Sequence, residues 1–341
     1  MKQIERIFLN LPSDYCCKNM KRFRIIGIAA SLIVFFPFRA LSQTDSLINE
    51  KGRFDNWRVY NLQESGIIGG NIKTIYKLSE GDTLSGQEPC PVGAEDVFQP
   101  CNIMANVVGI VKGSNSVFPE PRGDGYCARL SVIMEKVKVL GMINMEVLVQ
   151  GTVLSGHFNE PIRDTKSAYT KMDCGVPFTG RPSAVQYDYK AEVGHTVIRS
   201  TGFSAKKTIG GRDYPFIAVF LQRREEDDKG NVFAARVGTA FKRFYDNQAE
   251  WINGETIPVR YGDISAEEDF LPEMDLHDDD GGIVYYCRNS RGQIVPIQEN
   301  AWAAPDEEPT HIIIWISSSS GEAFYGGLGN TFWVDNFKLL Y

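Results

Sequence analysis

The sequence predicts an all-β chain, and three observations carry that prediction. Through 311–317 the residues alternate with a period of two: Ile312, Ile314 and Ile316 fall on one face and Ile313, Trp315 and Ser317 on the other, the pattern of a strand with one face in a core. Short apolar runs of the same kind recur at 128–132, 137–139, 145–158, 185–190, 216–222, 232–238 and 257–261, each bounded by glycine-bearing or charged segments. No long stretch shows the helical period. Gly326, Gly327 and Gly329 admit positive φ at little steric cost, so they read as the turn of a closing hairpin that joins 311–317 to a second apolar run, 331–340. The charged run 223–231, RREEDDKGN, reads as a solvated hairpin tip.

At the other end, Lys21, Arg22 and Arg24 precede an apolar run, 25–38, too short to span a bilayer, and Ala40 and Ser42 follow as the small residues that signal cleavage requires. This predicts a secretory signal cut after Ser42 and an exported chain, periplasmic or extracellular, with no membrane span after cleavage. Met20 is an alternative start, because a signal normally begins close to its basic residues. Cys16 and Cys17 precede the apolar run and no cysteine follows it at a lipoprotein position, so a soluble rather than lipid-anchored product is expected. The expected organisation is an extension plus signal over 1–42, a short leader over 43–51 and a single domain over 52–341, with no internal repeat or linker.

Residues 1–42 contain seven Lys/Arg and two acids, so the remaining 299 residues carry 29 basic and 41 acidic side chains, a net charge of −12. Such a surface argues against nucleic acid or an anionic membrane, which demand concentrated Lys/Arg, and is compatible with neutral glycans. A chain of this length buries enough surface to be stable without a covalent staple. Five cysteines lie beyond the signal: Cys90, Cys101, Cys127, Cys174 and Cys287. In an oxidising compartment the expected bridge is Cys90–Cys101, both beside prolines at the ends of one polar loop, although sequence alone leaves connectivity open.

Three further blocks stand out. The first is Phe54-Asp55-Asn56-Trp57; the second is Val176-Pro177-Phe178-Thr179-Gly180-Arg181-Pro182, followed by SAVQYDYK over 183–190; the third is the closing serines and glycines with Val334-Asp335-Asn336. Together they resemble the bacterial family named the putative carbohydrate metabolism domain. Its members open with a Phe-Asp-Asn-Trp-like strand, carry Pro-Phe-Thr-x-Arg-Pro before a Tyr-x-Tyr-Lys strand, and close with a Ser-Ser, Gly, Val-Asp-Asp/Asn block. The resemblance covers about 54–341. It implies an antiparallel β-sandwich of jelly-roll type, similar to carbohydrate-binding modules, and a connection with glycans, but it hands over no catalytic motif, and a fold does not by itself establish an activity. It also implies that Trp57 and Trp251 are core residues. Jelly rolls that bind carbohydrate often hold a structural calcium ion near their paired terminal strands, which makes Asp55 and Asp335 candidate ligands; the alternative is that both accept hydrogen bonds from turn amides.

Sugars are held by aromatic rings under their C–H faces and by planar polar side chains at their hydroxyls, so tryptophans are the first candidates. Trp315 falls opposite the isoleucine face and is either a platform or part of a second covered face. Trp333 has the same two readings. Trp302 stands in a loop-like acidic stretch, either as a ligand contact or as an anchor packed back on the sandwich. The cluster Asp275-Leu276-His277-Asp278-Asp279-Asp280-Gly281-Gly282 lacks calcium-loop register and reads as a solvated acidic turn. No nucleophile, metalloprotease or phosphate-loop motif is present, and His157, His195, His277 and His311 are scattered. The leading expectation is a secreted, non-catalytic module that binds glycans or assists their use. The alternatives are a glycoside-active enzyme using a carboxylate pair, which leaves no local motif, and a structural or adhesive surface protein that binds another protein.

Overall fold

The computed structural model describes residues 38–341 except 140–142, 165, 195, 203–204, 279–283 and 321, without the side chains of 38–43, 137–139 and 143–144. The expected signal, up to residue 37, lies outside the described residues, as do His195 and the 279–282 part of the acidic turn.

Eight strands form the frame: β1 (Gly125–Ser131), β2 (Thr152–Phe158), β3 (Ala184–Glu192), β4 (Phe216–Glu226), β5 (Val232–Arg243), β6 (Gln248–Pro258), β7 (His311–Ser317) and β8 (Thr331–Leu340). One sheet runs β1-β8-β3-β6, with Val117–Arg122 added at the β1 edge; the other runs β2-β7-β4-β5 and grows to ten strands by short additions at both edges. Strands 1, 3, 6 and 8 in one sheet and 2, 4, 5 and 7 in the other give the strand order of an antiparallel jelly roll. The all-β sandwich predicted from alternation is the fold.

The core lies between the sheets. Ile312, Ile314 and Ile316 of β7 and Ile217, Val219 and Leu221 of β4 meet Val185 and Tyr187 of β3 and Phe332, Val334, Phe337 and Leu339 of β8. The inward isoleucines are those the alternation assigned. The closing hairpin is corrected: β7 pairs with β2 and β4, whereas β8 pairs with β3 and β1, so the last two long strands lie in opposite sheets. The glycine segment between them contains a strand of its own, Tyr325–Leu328, paired with Thr196–Arg199, and arches across the sandwich. The single run expected over 145–158 is likewise two strands, Ile143–Val149 in a separate hairpin and β2 in the sandwich. The 223–231 tip is shorter than expected, since the β4–β5 ladder continues to the pair Glu226–Val232. Asp227 closes it by accepting hydrogen bonds from the Lys229 and Asn231 amides, at 2.9 and 2.8 Å.

The folded unit also begins earlier than residue 52. A helix, Phe38–Lys51, runs through the expected cleavage point, Ile48 is fully buried in the sandwich core, and Asn49 Oδ1 accepts a hydrogen bond from the Leu339 amide at 2.7 Å. Gly52 lets the chain touch β8: its carbonyl accepts from the Phe337 amide at 2.8 Å, and a Cβ there would stand 2.1 Å from the Phe337 oxygen. The described residues lie in one compact unit.

Candidate functional site

The two sheets differ on their outer faces. On the ten-stranded sheet the outer face is covered: Ala218, Phe220, Ile313 and Trp315 form a second apolar cluster with Ile264, Met274, Tyr285 and Cys287 from the loops beyond β6. Trp315 is therefore 7% exposed, its ring 5.2 Å from that of Tyr285, and it is not an open sugar platform. Trp302 is corrected for the same reason. It ends the strand Ile294–Trp302, beside β5, and packs on this second cluster with the Arg236 guanidinium 5.7 Å from its ring.

Beneath that cover Arg236 and Glu299, both fully buried, form an ion pair with Nε to Oε1 at 2.7 Å. Gln222 Nε2 and the His277 amide also donate to Glu299, at 2.6 and 2.9 Å. Burial opposes ionisation of Glu299, but the Arg236 charge and these hydrogen bonds win and hold it down at about 2. Burial pushes His277 down to about 4, so it is neutral near pH 7. This cluster is sealed from solvent and satisfied, which fits a role in holding the loops on the sheet.

Among the described residues the outer face of the five-stranded sheet carries no such cover, and it presents a row of rings and cations. Phe118, Arg129, Trp333 and Lys190 are cross-strand neighbours over four strands, and Trp251 follows on β6. The Arg129 guanidinium lies 4.6 Å from the Phe118 ring, Lys190 Nζ lies 4.5 Å from Trp333 and 5.3 Å from Trp251, and the Arg122 guanidinium lies 3.9 Å from Trp251. Trp333 Nε1 donates to Glu120 Oε1 at 2.9 Å, which fixes the ring edge. Arg129 is paired with Glu120 at 3.1 Å, whereas Lys190 has no carboxylate partner among the described residues. Trp251, expected in the core, is thus on this face. The β3–β6 register shifts between Tyr187 and Tyr189, beside Gly254 at φ 71°, and the shift reverses the parity that counting back from Ile257 gives.

Asp335 sits below the row, bound to Arg122, with its cross-strand neighbour Asp188 bound to the same guanidinium at 2.9 Å. A bulge in β8 makes this possible. Asn336, at φ 50°, inserts one residue so that Val334 and Phe337 both point inward while Asn336 Nδ2 reaches Asp188 Oδ2 at 2.8 Å. Burial pushes Asp335 up against the hydrogen bonds from Arg122 and the Asn336 amide. At Asp188 burial is outweighed by hydrogen bonds from Asn336, the Gly254 amide and Arg122, which hold it below the usual carboxylate range.

Asp55 accepts a hydrogen bond from the Tyr126 amide at 3.0 Å. Both candidate calcium ligands thus have partners within the chain, the charge of Asp335 being met by the Arg122 guanidinium, and among the described residues no three acidic, His or Cys side chains gather as a metal cluster. Nor do Cys90 and Cys101 form a bridge. All five described cysteines are free thiols; Cys90 packs in a cluster with Tyr60, Leu62, Ile75 and Met104, and Cys101 lines a groove.

No protein-family model matches this chain, and no curated protein matches it. Among solved structures it is similar to a putative glycoside hydrolase from Bacteroides thetaiotaomicron, at 16% identity and a TM-score of 0.43 over 83% of this chain and 70% of the other. It is also similar to a putative glycoside hydrolase from Bacteroides vulgatus, at 15% identity and a TM-score of 0.42 over 84% of this chain and 96% of the other. The sequence blocks take up defined places in the fold. Phe54 and Phe178 are core residues, Arg181 ties the carbonyls of Pro305 and Glu307 beneath Tyr261, and Tyr187-Asp188-Tyr189-Lys190 sends its tyrosines inward and its charges to the row of rings.

Proposed function

We propose that this chain is an exported, non-catalytic glycan-binding module whose platform is the outer face of the five-stranded sheet. The observation that supports this most is the Trp333–Lys190–Trp251 arrangement: two indoles of intermediate exposure and, between them, an ammonium with no carboxylate partner among the described residues. The indoles supply apolar faces for sugar C–H groups, and Lys190 supplies three donors for ring or hydroxyl oxygens. The ion cluster of Arg122, Asp188, Asp335 and Asn336 acts beneath them as a rigid support, since Arg122 lies against Trp251. An open platform of this kind binds weakly, because water hydrogen bonds are exchanged for protein ones at small net gain. No described helix is long and apolar enough to cross a membrane.

The test is a glycan array probed with the purified chain and with Trp251→Ala and Trp333→Ala. The reading requires one glycan class bound by the parent and lost by both variants. A blank array with folded protein would overturn it. The glycoside-active alternative has one arrangement in its favour, the neighbouring carboxylates Asp188 and Asp335 with opposed shifts. Arg122 occupies the space between them, so Asp188→Asn is expected to leave no hydrolysis to lose.

A further inference from the structure

A concave site lies at the ten-stranded sheet, apart from the open face. Two hairpins, Ile103–Val107 with Ile110–Ser114 and Ile133–Val139 with Ile143–Val149, stand over the β2–β7 edge of the ten-stranded sheet and enclose a groove of about 430 Å³. That volume lies within the range of roughly 300–1,000 Å³ typical of small-molecule sites. Its walls include Ala105, Ile110, Met145 and Val147, and its floor Tyr169 and Trp315.

Three observations define what would fill it. First, the lining is apolar almost throughout, so a sugar would find few partners for its hydroxyls and would lose more hydrogen bonds to water than it regained. Secondly, the charges at the rim are already matched within the chain. Lys171 pairs with Asp164 at 3.1 Å, and Lys112 lies 3.4 Å from Glu64 and 3.9 Å from Glu135. A charged ligand group would have to break one of these pairs, whereas an uncharged one would not. Thirdly, the tip of the first hairpin carries an unfavourable residue. Val108 lines the groove, is 95% exposed and sits at φ 51°, followed by Gly109 at φ 80°. This turn favours asparagine before glycine, and a β-branched residue in the left-handed region is strained. A strained apolar side chain held in water at the mouth of an apolar groove has a use when a ligand covers it.

We propose that this groove binds an elongated, uncharged apolar molecule of the single-acyl-chain type, entering past Val108 with its chain against Met145, Tyr169 and Trp315. The site is independent of the platform on the other sheet. The unbranched thioether of Met145 suits a flexible chain of variable fit.

The experiment uses the uncharged fluorophore N-phenyl-1-naphthylamine with the purified chain, displaced in turn by 1-dodecanol, dodecanoate and dodecyltrimethylammonium. The expected result is a fluorescence rise on mixing, displacement by 1-dodecanol at micromolar concentration, and at least tenfold weaker displacement by the two ions. Val147→Trp, which fills the groove, should weaken probe binding tenfold or more at unchanged circular dichroism; Ala105→Phe is the second filling variant should the first not fold. Absence of a fluorescence rise, equal displacement by charged and uncharged chains, or full binding by the filled variants would each overturn the proposal.

Discussion

Tyr187 is buried in the centre of the sandwich, and its hydroxyl has no hydrogen-bond partner among the described residues. An unmet buried hydroxyl costs about 1–3 kcal/mol, so Tyr187→Phe should leave the fold intact and raise stability by about 1 kcal/mol or more in urea unfolding. A loss of stability would mean that the oxygen is solvated by an internal water. His277 gives a pH prediction whose sign follows from its burial. The unfolded side chain takes a proton near 6.5, the folded one only near 4, so in that window the unfolded state binds more protons. The stability present above pH 6.5 is therefore lost as pH falls towards 4, by up to about 3 kcal/mol. His311, pushed down by burial to about 3, acts in the same direction. The charged groups around His277 are Arg236, Glu299, Asp275 and Asp278, and its ring packs on Tyr285 and Phe220. Thermal unfolding of the parent and His277→Phe between pH 7 and pH 4.5 checks this: the variant should show the shallower decline.

At the scale of elements, the two isoleucine and tryptophan faces of β7 separate cleanly, with Ile312, Ile314 and Ile316 in the first core and Ile313 and Trp315 in the second. Trp315→Ala should thus cost about 3–5 kcal/mol in denaturant unfolding, as large-to-small changes in a packed core do. A change below about 1 kcal/mol would mean that the loops do not cover it. The alternation that assigned these faces is local, which is why strand existence and the inward set were legible in the sequence. Pairing is not local. The β7–β8 link reads as a hairpin because glycines permit a turn, but they equally permit an arch between sheets, and only the partners of each strand decide which forms. The bulges at Asn336 and near Gly254 were hidden for a related reason. One extra residue reverses parity beyond it, moving Trp251 from the expected core to the outer face. Trp333 was legible as a candidate, whereas its partners Lys190 and Trp251 became visible only once the strands were paired.

At the scale of the whole molecule, one sandwich presents two outer faces with different chemistry. The ten-stranded sheet is roofed by loops locked through Arg236 and Glu299 and edged by an apolar groove, while the five-stranded sheet is open and carries alternating rings and cations. Composition predicted the acidic character of the chain but not this division, because loop coverage depends on residues far apart in sequence, Ile264, Met274, Tyr285 and Cys287 against β4 and β7. The open face is proposed as the glycan platform. Its most direct test is calorimetric titration of an array-positive glycan into the parent and into Trp333→Ala, with the melting temperature of each recorded. The account predicts at least tenfold weaker binding by the variant, about 1.4 kcal/mol, with melting within about 2 °C of the parent. Unchanged affinity in a folded variant would contradict it.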